Sequence, residues 1–187
     1  MKTNIYSNDP LPSENAGMHT THLMNLFEYE LKDIFWAEKA SIRIMPVLIQ
    51  NSSSDDLKQT LENHLEETKN QVNRLMQIFD SLGVAGTSKK CEAMEGILRE
   101  AENVMLECEV GPMRDAGIIS SAQKIEHYEI ASYGTLRQFA ETLGLYDVAE
   151  LLTKTLEEEK AADEELSEIA ITSVNLQAAN IMDDEIN

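Results

Sequence analysis

Cysteine is nearly absent from this chain. There are two, Cys91 and Cys108. Their spacing matches no zinc or redox motif, and two are too few for a disulfide framework. Both are expected to pack as small hydrophobes in one helix. Basic residues are scarce as well: Lys and Arg number 15 against 34 Asp and Glu, for a formal charge of −19. That balance argues against nucleic acid and anionic membrane surfaces as partners. No apolar run approaches the ~18 residues of a membrane helix. The first twenty residues hold no apolar segment of the signal-peptide kind, so a cytoplasmic protein is expected. Strand signals are missing too, and the few glycines and prolines cluster between long helical patterns.

What is present is enough apolar material for a core. Hydrophobic residues make up 42% of 187 positions, which separates the chain from a disordered acidic polymer and suits one domain. The periodicity predicts five helices, over 20–51, 54–82, 89–109, 113–143 and 146–172. Ser53 or Ser54 with Asp55 can cap the second, and Pro112 suits the first turn of the fourth. Gly83 and Gly144 suit helix C-termini, and Pro46 could kink the first helix. Residues 1–19 read as a flexible arm, 20–172 as a helical bundle and 173–187 as a frayed tail.

Two of the helices share an anomaly. In the fourth, steps of four and three residues join Ile118, Ala122, Ile125, Glu129, Ser132, Leu136, Phe139 and Leu143. In the first they join Phe27, Leu31, Ile34, Glu38, Ser41, Met45 and Leu48. Both are apolar seams, and both break at Glu followed by Ser, at registers 91 residues apart (129 − 38). The same offset aligns 27–79 with 118–170 without gaps. Ile34, Glu38, Ala40, Ser41, Asp56, Leu61, Leu65, Glu66, Glu67, Lys69, Leu75 and Ile78 each meet an identical residue, 12 of 53 positions. Chance gives roughly 3 or 4, so the chain is a duplicated helix pair, with 89–109 as the joining helix. Two hairpins related by a pseudo-twofold make an all-α four-helix bundle with one longer crossover.

The pseudo-twofold sets Glu38 opposite Glu129. The seam of the second helix is Leu57, Leu61, His64, Thr68, Gln71 and Leu75, with Glu67 one turn from His64. That of the fifth is Val148, Leu152, Thr155, Glu159, Ala162, Leu166 and Ile169, with Glu158 on its edge. Each helix thus offers a carboxylate at similar depth: Glu38, Glu67, Glu129 and Glu158. Carboxylates in an apolar bundle either take up protons or are compensated by cations. Two divalent ions would balance the four charges, and oxygen-rich sites with an imidazole suit iron or manganese. The alternative is that these glutamates reach solvent or pair with Lys39, Lys69 or Lys160.

The segments "HLEETKNQVNRL", "CEAMEGILREAENVM", "AQKIEHYEIASYGTLRQFAETLG" and "LLTKTLEEEKAADEELSEIA" closely resemble the YciE/YciF stress-protein family of ferritin-like proteins, over about residues 20–175. The resemblance implies a ferritin-like four-helix core, a homodimer, a dinuclear metal site and expression under stress. It brings no settled reaction. The chain also departs from the wider ferritin-like pattern, which places His three residues after Glu in the second and last core helices. Here Asn70 follows Glu67 and Ala161 follows Glu158; Lys69 and Lys160 follow Glu66 and Glu157. His64 and His127 are the candidate replacements, with Thr155 and Trp36 as their repeat mates. His127 lies about 200° round the helix from Glu129, which disfavours a shared metal, whereas Glu126 lies only about 60° away. The expected ligand set is therefore Glu38, His64, Glu67, Glu126, Glu129 and Glu158. His127 is expected to pack beside Tyr128 or at an interface. Tyr133 and Trp36 fall near the site, chiefly as packing residues. The apolar face of the third helix is wider than a crossover needs and suits a dimer interface.

Three functions are compatible with this pattern. One is a metal-dependent redox protein acting on a small oxidant, dioxygen or peroxide. Another is a non-catalytic dimeric stress protein with a vestigial site that works through partner binding. The third is an acidic iron-binding buffer without turnover.

Overall fold

Long amphipathic segments with capped ends become long helices. The computed structural model describes residues 22–184. The arm expected over 1–19, the histidine within it and the end of the expected tail lie outside the described residues. The core elements are α1 (Leu23–Asn51), α2 (Asp55–Leu82), α3 (Glu92–Glu107), α4 (Pro112–Thr142) and α5 (Tyr146–Ile169). A π-helical turn (Ala170–Val174) then leads into α6 (Asn175–Asp184). No strand occurs among the described residues.

The ends are set by local chemistry. Ser54 caps α2, its hydroxyl accepting from the Leu57 N–H at 3.3 Å, and Asp55 and Asp56 favour the helix N-terminus. Ser53 does something else. Its N–H and that of Ser54 donate to the Asp115 carboxylate at 2.7 and 2.9 Å, which pins the α1–α2 loop to the first turn of α4. Gly83, at φ +65°, closes α2 in a left-handed conformation that other residues resist. Pro46 sits inside α1 without interrupting it. Cys91 and Cys108 are the two flanking residues of α3 rather than members of it; the Cys91 sulfur accepts from the Met94 N–H.

α1 packs on α2 and α4 on α5, and the two hairpins meet through α1–α4 and α2–α5 contacts. The α2–α5 order is antiparallel: Thr60 bonds Glu165, and Arg74 bonds Thr155. Phe27, Leu31, Leu57, Phe79, Ile118 and Leu152 fill the core and are fully buried. α3 lies across α1 and α4. Its approach to α4 depends on Gly117, where a Cβ would come within 2.6 Å of the Val104 side chain. Met94, Ala101 and Met105 are buried by this packing, so much of the apolar face of α3 is used within the chain.

The frayed tail expected from residue 173 needs correcting. Ala170, Val174 and Ala178 recur every four residues, and all three are buried. The turn and α6 pack against α4. A polar composition around a narrow apolar stripe concealed this extension.

Candidate metal centre

The seams deliver their carboxylates to the middle of the bundle. Glu38 (α1), Glu129 (α4) and Glu159 (α5) expose 0, 1 and 0% of their surface, and Glu126 (α4) and His64 (α2) are buried beside them. His64, Glu126, Glu129 and Glu159 each offer a ligand atom, and the four atoms lie within 4.8 Å of one another. His64 Nε2 is 3.2 Å from Glu126 Oε1 and 3.7 Å from Glu159 Oε2; its Nδ1 is 3.6 Å from Glu67 Oε2. These contacts lack hydrogen-bond alignment. Both ring nitrogens, Glu126 Oε2, both Glu159 oxygens and Glu38 Oε2 are buried without a hydrogen-bond partner among the described residues. Unpaired buried polar atoms each cost free energy, on the order of 1–3 kcal/mol.

Two neighbours orient the carboxylates. Ser41 donates to Glu129 Oε1 at 3.0 Å, and the fully buried Tyr133 donates its phenolic hydrogen to Glu38 Oε1. This explains the Glu-then-Ser motif in part: Ser41 supports the glutamate of the opposite repeat. Its mate Ser132 instead bonds the Tyr128 carbonyl one turn back.

The electrostatics reflect crowding of like charge. Burial pushes Glu38 up to about 7, with Glu126 adding to the rise while Tyr133, His64 and Arg74 oppose it. Burial, then the charges of Glu38 and Glu126, holds Glu129 well above the carboxylate range. Glu159 is raised by burial and by Glu129 and Glu126. For His64 burial works against the charged ring, but the charge and contact of Glu126, with Glu67 and Glu129, win and raise it well above its ordinary value. Burial and mutual repulsion thus favour the protonated forms of Glu38, Glu129 and Glu159.

The structure brings Glu38, His64, Glu126 and Glu129 of the expected set together. Glu158 is not with them and needs correcting: the core carboxylate of α5 is Glu159. Glu158 faces the α2–α5 edge in a two-pronged pair with Arg74, at 2.9 Å for both bonds. The residue three after Glu159 is Ala162, so α5 still supplies no imidazole. Glu67 also lies at the edge; half its side chain is exposed, and the nearby His64 ring lowers its pKa. An open cleft of about 450 Å³ between α2 and α5 is lined by Glu67, Arg74, Lys154 and Glu158. His127 is exposed beside Asp163, at 3.4 Å, away from the cluster.

The lysines do not neutralise the centre. Lys69 pairs with Glu66 and Lys160 with Glu157 on the outer faces, and Lys39 lies over the Phe35 ring. The donor set left in the core, His64 with Glu126, Glu129 and Glu159 and with Glu38 beside them, could hold a metal ion. The orphaned atoms of His64, Glu126 and Glu159 are what such an ion would satisfy.

Residues 22–179 match the family model described as Domain of unknown function (DUF892). Protein YciF of Escherichia coli (strain K12) is 43% identical over 164 residues, 87% of this chain and 99% of that protein. The crystal structure of the E. coli stress protein YciF superposes with a TM-score of 0.80, covering 83% of this chain and 99% of that one. YcfI from Rhodopseudomonas palustris gives 0.79 at 39% identity, over 81% of this chain and 96% of its own. A protein from Xanthomonas campestris pv. campestris, at 19% identity and a TM-score of 0.67, shares the fold.

Proposed function

Because this chain belongs to the DUF892 family and is 43% identical to the E. coli stress protein YciF, we propose that it is a metal-binding stress protein. Its cation is iron or manganese, held by His64, Glu126, Glu129 and Glu159. The observation that carries this reading is the set of buried ligand atoms with no hydrogen-bond partner among the described residues. A bundle that needed only packing would fill those positions with apolar side chains. A bound iron or manganese ion would exchange electrons with dioxygen or peroxide.

The chain's own residues prepare the site. The carboxylates and the imidazole converge from three helices, and α1 adds Glu38. Ser41 fixes one carboxylate and Tyr133 another. The burial of His64, Glu126, Glu129 and Glu159 keeps bulk water out. Glu67, half in solvent and 3.6 Å from His64, stands where an ion would pass from the α2–α5 cleft into the core. A two-ion centre of the expected kind would also need Glu38 and Glu158, and Tyr133 and Arg74 bind those two carboxylates.

The test is metal content of the untagged chain, purified from iron- and manganese-supplied cells, with peroxide and oxygen consumption measured on the loaded protein. Metal retained by the native chain and lost on Glu159→Gln supports the reading. Absence of metal refutes it, and metal without turnover leaves the buffering function.

The pairing of Glu158 with Arg74 favours a second reading, a non-catalytic dimeric stress protein. Exposed Leu106 and Val110, near the α3–α4 junction, are the surface that supports a homodimer. Sedimentation of the native chain beside Leu106→Glu tests it: a dimer converted to monomer is the expected result.

A further inference from the structure

The two halves of the bundle are related by sequence, so every ligand has a repeat mate at the equivalent place. On one side stand His64, Glu67, Glu126, Glu129 and Glu159. Their mates, 91 positions away, are Thr155, Glu158, Phe35, Glu38 and Thr68. Three of five donors are gone: an imidazole has become a hydroxyl, one carboxylate a phenyl ring and another a second hydroxyl. Phe35 packs edge-on against Phe79 as a core residue. The Thr68 hydroxyl is turned to the His64 carbonyl at 2.8 Å.

Of the two carboxylates that survive on this side, Glu158 is engaged through both oxygens and Glu38 through one, its Oε2 having no partner among the described residues. Glu38 takes the Tyr133 hydroxyl. Glu158 takes both prongs of Arg74, and the same guanidinium donates to Thr155. Arg74 is 7% exposed. Its charged head thus lies against Thr155 and Glu158, the mates of His64 and Glu67. The permanent cation of a guanidinium, with its planar fork, satisfies a carboxylate without any metal.

We propose that the metal centre is a one-ion site. A single divalent cation binds among His64, Glu126, Glu129 and Glu159, and the Arg74–Glu158 pair closes the pseudo-symmetric position where a second ion would sit. The inference rests on the metal reading above and deepens it. Duplication first supplied two matching half-sites, and substitution left one half as ligand and the other as a built-in ion pair. The chemistry implied is that of one ion with a lone imidazole, in which no second ion is present to take up a second electron directly.

The experiment is a manganese(II) titration of the metal-free full chain. It is read by elemental analysis after desalting and by electron paramagnetic resonance. The expected result is saturation at one ion per chain, with the six-line spectrum of isolated manganese. Two ions at the roughly 3.5–4 Å of dinuclear sites would couple magnetically and broaden that spectrum. Glu159→Gln is expected to abolish binding. Glu158→Gln, outside the ligand set, is expected to keep both the stoichiometry and an affinity within twofold. Circular dichroism verifies that each variant folds, and both are near-isosteric. Two ions per chain, a coupled spectrum, or equal damage from Glu158→Gln and Glu159→Gln would overturn the one-ion inference while leaving metal binding intact. No ion at all would overturn both.

Discussion

Metal-free protein should lose stability as pH rises from 5.5 to 7.5, the reverse of the usual response of carboxylates held in ion pairs. Glu38 has its folded-state pKa raised from an ordinary 4.5 to about 7, by burial first. A carboxyl with a raised pKa binds its proton more tightly in the folded chain. Its contribution is therefore present in full below 4.5 and is lost as pH climbs to 7. At ~1.36 kcal/mol per unit, the full window is about 3 kcal/mol, of which about 2 falls between pH 5.5 and 7.5. Glu129 and Glu159 are raised in the same direction. His64 is raised too, so its contribution also declines with rising pH. For a domain of this size ~2 kcal/mol is about 4–8 °C in Tm. The assay is a calorimetric melt in chelator at both pH values, repeated with saturating manganese. Metal displaces the protons, so its stabilisation should grow with pH and reverse the order of the two melts. Glu38→Gln should flatten much of the metal-free slope and raise the Tm at pH 7.5. A metal-free chain that melts higher at pH 7.5, or a slope unchanged by Glu38→Gln, would refute the reasoning.

His64→Ala should abolish metal retention in elemental analysis, because no other imidazole reaches the cluster among the described residues. Arg74→Met should cost about 1–3 kcal/mol by chemical denaturation; the figure is below that of a fully buried pair because Glu158 is partly solvated. Gly117→Ala should destabilise by about 1–3 kcal/mol, since the new methyl meets Val104. Gly96→Ala, within α3 and with nothing near, should stabilise by roughly 0.5–1 kcal/mol; the two melts compared side by side check the α3–α4 approach.

Much of the architecture was legible because it follows from local periodicity. Seams of four and three residues make helices whatever their partners, and a gapless repeat forces two equivalent hairpins. The same seams carried Glu38 and Glu129 to the core without any tertiary knowledge. The choice of Glu158 over Glu159 shows the limit of repeat logic. Glu158 matches Glu67 in the repeat, yet Glu159 sat on the α5 seam, and neighbours on a helix differ by about 100° in direction. The seam was the better guide.

The sequence by itself determined what depends on spacing along one helix: five core helices, their pairing, the burial of Glu38 and Glu129, and His64 on the inward seam of α2. Only the tertiary structure decided what depends on partners far apart in the chain. Tyr133 donates to Glu38, Ser41 to Glu129, and Arg74 crosses from α2 to Glu158 and Thr155. In sequence Arg74 is one more basic residue near a helix end. Periodicity places a side chain on a face; which charge it meets there is settled by the helix packed against it.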